Sequence, residues 1–202
     1  MALYSPSFEE IRIILCVQGY MLDYQFVLRE IGFWSREKYG SIPFNCKINR
    51  NQLDTKNHKS VYFAENELHG IKLKSSVEFG LTNCEVKTVL KTLYHMTETN
   101  NPKTKYIGII RDENINGLLF KAGLGNLVVD MDNLDIIRNT KNTCPSNNDY
   151  WVMMKSDPTR YKVCNLHEKL NIDYSPICAA IKAKYIADYC IDLINVLNKI
   201  ID

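Results

Sequence analysis

The stretch "IRIILCVQGYMLDYQFVLREIGFWS" (residues 11–35) decides the fold. Residues 11–20 are short, β-branched and closed by Gly19, which predicts a buried strand. Residues 24–35 predict a second strand, with Phe33 and Trp34 near its end. "SIPFNCKI" (41–48) predicts a third. Strands in succession joined by short turns predict an antiparallel meander.

Downstream the hydrophobic period changes. Residues 49–71 begin polar and then carry Leu53, Val61, Tyr62 and Leu68 at loosely helical spacing. Residues 75–96 predict a better helix, with Val86, Val89, Leu90 and Leu93 on one face. A strand follows over 105–111, a short helix over 112–124 stopped by glycine, and another strand over 126–131. Residues 132–178 read as a long loop with three prolines, a stretch that needs tying down in a compact domain. The final helix spans 179–201, with Ile181, Tyr185, Tyr189, Leu193 and Leu197 down one side and Ile186, Cys190 and Ile194 beside them. The order predicts one α/β domain over 1–202: a mixed sheet flanked by helices, in the ribonuclease H-like layout.

Composition excludes several classes. The 202 residues are 46% hydrophobic and 24% charged, with a net charge of +2, an ordinary globular balance. Such a charge gives no footprint for wholesale nucleic-acid binding, so RNA would need a local groove. No apolar run reaches the roughly 18 residues that span a bilayer, so no membrane association is expected. The opening "MALYSPSFEEIRIILCV" places acids before its apolar run, unlike a signal peptide. Seven scattered cysteines argue against a disulfide framework and for a reduced, intracellular setting.

Chemistry concentrates in "VCNLHEKLNIDYSPICAA" (163–180), which holds Cys164, His167 and Cys178. Two thiols and an imidazole are three of the four ligands of a structural zinc site. They equally suit a core with two buried thiols and a satisfied histidine. Cys144, in a loop before Pro145, is one candidate for the fourth ligand.

Several short stretches, in order, carry a resemblance: "CVQGY" (16–20), "REIGF" (29–33), "LHGI" (68–71), "CNLH" (164–167) and "PICAAIK" (176–182). Over residues 11–195 the chain resembles the DEDDh 3′–5′ exonucleases, most closely the C-terminal exonuclease domain of arenavirus nucleoproteins. It is also similar to uncharacterised insect and insect-virus proteins with a "DVQGF … HGI … CPS … CxxH … CA" pattern, to which "NTCPSN" (142–147) would contribute. The resemblance implies zinc on Glu30, Cys164, His167 and Cys178, pinning the 132–178 loop, and it selects Glu30 over Cys144.

The same resemblance implies a lost active site. Such exonucleases hold two magnesium ions on four carboxylates beside a histidine base. Here the first-strand acids fall at Cys16 and Gln18, the histidine at Ile177 and the last aspartate at Lys182. Only Glu113, or Asp112, remains, and either also suits plain helix N-terminal charge. Magnesium or manganese is not expected, and the implied protein is a pseudo-exonuclease. A Cys16 nucleophile and a residual metal-independent nuclease are the minor alternatives. Two functions follow as expectations. One is an inactive exonuclease-fold protein, viral or virus-derived and cytoplasmic in a host cell, that binds RNA or a protein partner. The other is a self-assembling structural protein, which its twelve tyrosines would suit. His69 in "ELHGI" is expected to organise a turn; His58 and His95 are expected to be solvated.

Overall fold

The computed structural model describes residues 5–45, 48, 50–73, 81–97, 101, 103–157, 164–170 and 178–201. Strands β1 (Ile11–Leu22) and β2 (Gln25–Trp34) form a long antiparallel hairpin, and β3 (Tyr39–Pro43) adds to β2. The hairpin turns at Asp23 and Tyr24, both with positive φ (47° and 63°), as a tight two-residue turn between right-twisted strands requires. Two further strands, β4 (Tyr106–Ile109) and β5 (Val128–Asp130), lie parallel to β1, giving the order β3-β2-β1-β4-β5. The meander is thus antiparallel and the later strands parallel, a five-stranded mixed sheet.

Helices cover both faces. Between β3 and β4 lie α1 (Thr55–Phe63), extended by a π-helical turn at Ala64–Leu68, and α2 (Val86–Met96). Helix α3 (Glu113–Lys121) connects β4 to β5. After β5 come α4 (Asp135–Asn139), α5 (Asn147–Ser156), α6 (Asn165–Lys169) and the long α7 (Ala179–Ile201). The central strand is apolar along its length because both its faces are buried. Ile13, Leu15 and Val17 pack with Val89, Leu90 and Leu93 of α2 and Ile115 and Leu119 of α3. Ile14 and Cys16 face the other way, toward Ala179, Ala183 and Ala187 of α7.

The 132–178 expectation needs correction: its described parts hold α4, α5 and α6 rather than plain loop. Each helix is short, and for α5 the cap is the missed signal. Ser146 accepts from the Asp149 N–H while Asp149 returns a bond to the Ser146 N–H, a reciprocal cap that starts α5. The third strand ends at Pro43, earlier than expected, with Cys46 outside the described residues. The predicted helix over 75–96 is helical from Val86, after a 3₁₀ turn at Asn83–Glu85; 75–80 lie outside the described residues. On α7 the innermost positions are Ala179, Ala183, Ile186, Ala187 and Cys190, whereas Tyr189, Leu193 and Leu197 are only partly buried. Alanines four apart let the helix lie close to the sheet.

Candidate metal centre

Glu30 sits on β2, opposite Gln18 of β1 and Pro43 of β3, and is fully buried. A buried carboxylate costs several kcal/mol unless it is paired or bound. Its partners come from the far end of the chain. Cys164 is the N-cap residue of α6, and His167 follows three residues on, one helical turn away on the same face. Cys178 stands just before α7. One ligand atom from each of the four residues lies within 4.8 Å of every other, and all four residues are buried.

The distances fit a small metal ion. Cys164 Sγ lies 3.0 Å from His167 Nδ1, Cys178 Sγ 3.8 Å from Glu30 Oε1, and His167 Nδ1 4.0 Å from the same oxygen. Tetrahedral ligands at zinc-like bond lengths stand roughly 3.3–3.8 Å apart. The surroundings orient each donor. His167 Nε2 donates to the His69 carbonyl at 2.8 Å, which leaves Nδ1 aimed at the cluster. Ser41 Oγ donates to Glu30 Oε1, and the Ala179 N–H donates to Oε2 at 3.3 Å.

Electrostatics point the same way. A hydrogen bond from Cys178 and another from His167 outweigh burial and hold the Cys164 thiol down, at about 4. Burial disfavours the His167 cation, but Cys164 and Glu30 lift its pKa to about 9. Burial pushes the Glu30 carboxyl and the Cys178 thiol up. A divalent cation would favour the ionised thiols and carboxylate and the neutral imidazole together. Four donors of this kind could hold a metal ion, and the set is compatible with zinc.

Gly32 makes the arrangement possible. A Cβ there would collide with the backbone of Ala179 and Ala180, so only glycine on β2 lets the first turn of α7 reach the sheet beside Glu30. Neither Gly32 nor Ser41 was marked in the sequence, because each matters through a residue more than ten positions away. Cys144 lies apart from the four, in the cluster beneath α7 with Cys190, its N–H bonded to Asp132 Oδ1 at 2.7 Å.

Of the positions of the expected lost active site, Cys16 lies near Lys182 and Asp112, and Asp112, Glu113 and Lys182 border one cavity. Cys16 is buried, and burial pushes its thiol to about 11, although Lys182 nearby works against the rise. Such a rise disfavours the reactive thiolate at neutral pH, and Cys16 lies within β1. Lys182 is buried in the first turns of α7. Asp112 caps α3, accepting from the Asn114 and Ile115 N–H groups at 3.0 and 3.3 Å, and Glu113 is exposed beside it. Gln18 is half-buried. Ile177 lies outside the described residues.

No family model matches the chain, and no curated protein or solved structure matches it. The fold and site define a class: a mixed α/β protein with a buried Glu–Cys–His–Cys cluster able to hold a metal ion. Among the described residues no helix is long and apolar enough to cross a membrane.

Proposed function

We propose that the chain is a zinc-stabilised, catalytically inactive protein of the ribonuclease H-like exonuclease class, viral or virus-derived, which binds RNA without cutting it. The observation that carries this reading is Lys182. Its side chain is buried close enough to Cys16 to act on that thiol, where the resemblance implies a magnesium-binding aspartate. Magnesium needs anionic oxygen ligands, and an ammonium in their midst repels it. The same ammonium attracts phosphate. The strand order β3-β2-β1-β4-β5, with the catalytic-type strand in the middle, supports the fold half of the reading. The quartet of metal ligands supports the zinc half.

Exposed Met21 and Tyr24 at the hairpin tip, and Tyr62 and Phe63 at the end of the adjoining α1, favour self-association as a second reading. One set of measurements separates the two. Elemental analysis should find about one zinc per chain, lost in Cys164→Ser and kept in Cys144→Ser. Fluorescence anisotropy should show RNA held intact in magnesium, with affinity falling steeply as salt rises. Cleavage of that RNA would overturn the proposal. Absence of RNA binding together with concentration-dependent size would favour assembly instead.

A further inference from the structure

Beyond the metal cluster, a cavity of about 470 Å³ opens at the carboxyl end of β4, lined by Arg111, Asp112, Glu113, Cys144, Ser146 and Lys182 among others. A second, of about 500 Å³, shares Arg111, Asp112 and Glu113 and continues toward Asp130. Together they form a cleft where open α/β sheets commonly bind ligands.

Two features of the first cavity favour an anion. Lys182 is only 6% exposed, yet its ammonium makes no hydrogen bond or ion pair with another described residue. The buried stem delivers the ammonium to the cavity wall, where an anion would meet a cation held by no other described group. Arg111 is the second feature. Its backbone has φ +33°, a strained value for a side-chain-bearing residue. Its Nε is ion-paired with Asp132, which fixes the guanidinium and leaves the two terminal nitrogens without a described partner.

The acids on the rim narrow the ligand further. Asp112 spends one oxygen on its helix cap, and Glu113 is exposed. They would repel a bare polyanion, but they are good acceptors for sugar hydroxyls, as carboxylates are in nucleotide sites. We propose that this cleft binds a ribonucleotide, with its phosphate between Lys182 and Arg111 and its ribose hydroxyls on Asp112 and Glu113. The inference rests on the RNA reading for the choice of cleft and names the part of the ligand recognised there. The nucleotide could be free or the phosphorylated end of a strand.

Titration calorimetry separates these outcomes. The probes are a ribonucleoside monophosphate, the matching ribonucleoside, and short single-stranded RNA with and without a terminal phosphate. The monophosphate should bind at least about tenfold tighter than the nucleoside, and Lys182→Met and Arg111→Ala should each remove most of that gain. Arg111 is exposed, so its variant keeps the fold and guards against a Lys182→Met protein that does not fold. Tighter binding of phosphorylated RNA than of the monophosphate would assign the site to strand ends; the reverse order would assign it to free nucleotides. Equal affinity for nucleotide and nucleoside, or indifference to both variants, would overturn the inference. RNA binding that ignores Lys182 and the terminal phosphate would overturn it while leaving the RNA reading intact. Monophosphate binding without RNA binding would do the opposite.

Discussion

His69 links the metal cluster to the rest of the molecule through three contacts. Its Nδ1 accepts from the Ile71 N–H at 3.0 Å, fixing the turn at Gly70, where φ is +69°. Its carbonyl accepts from His167 Nε2, and its ring meets Tyr20 edge-on, centroids 5.2 Å apart. Burial first, then the charge of Arg29, lowers its pKa to about 3. The unfolded chain therefore takes up this proton first as pH falls below about 6.5. Stability contributed by the neutral ring is complete above that pH and is lost, at roughly 1 kcal/mol per pH unit, down to the folded value. His69→Asn keeps an acceptor near Nδ1 but does not titrate. Denaturant midpoints of the two proteins between pH 7 and pH 4 should converge as pH falls, since the metal ligands titrate alike in both. Parallel curves would show that His69 titrates alike in the folded and unfolded chain, and would overturn this reading.

Among the elements, the contact between β2 and α7 matters most. Two of the four donors depend on it: Glu30 lies on the strand and Cys178 precedes the helix, while the Ala179 N–H holds Glu30 Oε2. Gly32→Ala would wedge the helix off the sheet, because the obstacle is backbone rather than a flexible side chain. Overpacking of this kind costs about 1–3 kcal/mol. Here it should also weaken metal retention, read as faster zinc transfer to a colorimetric chelator. A variant that loses stability but holds zinc as firmly as wild type would separate the helix contact from the metal site.

At the scale of the whole molecule, the cluster ties β2, α6 and α7 into one unit, the closing of a long chain segment onto the sheet. Metal binding of this kind is folding free energy. Removing the ion with a strong chelator should lower the melting midpoint by roughly 10 °C, given a few kcal/mol of linkage in a chain of this size. Adding zinc back should restore it. An unchanged midpoint would mean that the buried contacts hold these elements together without an ion.

Much of this was legible in the chain. Continuous apolar stretches, Gly19 and the period of the last helix were enough to predict the hairpin, the mixed sheet and α7, because strand and helix patterns are local consequences of burial. Cys164, His167 and Cys178 drew notice by proximity in sequence. Other features depended on tertiary structure. The carboxylate on β2 approaches those three residues only after the sheet forms, across more than 130 positions. Gly32, Ser41 and His69 matter for what comes near them, not for the residues beside them. The short helices α4 and α6 follow from packing, since five-residue segments have too little periodicity of their own to be read. The cavity that joins Arg111 to Lys182 exists only because α3, α5 and α7 begin at the same edge of the sheet. Sequence determined which residues want burial and in what rhythm; the folded chain decided which of them meet, since contacts between distant segments obey packing rather than order along the chain.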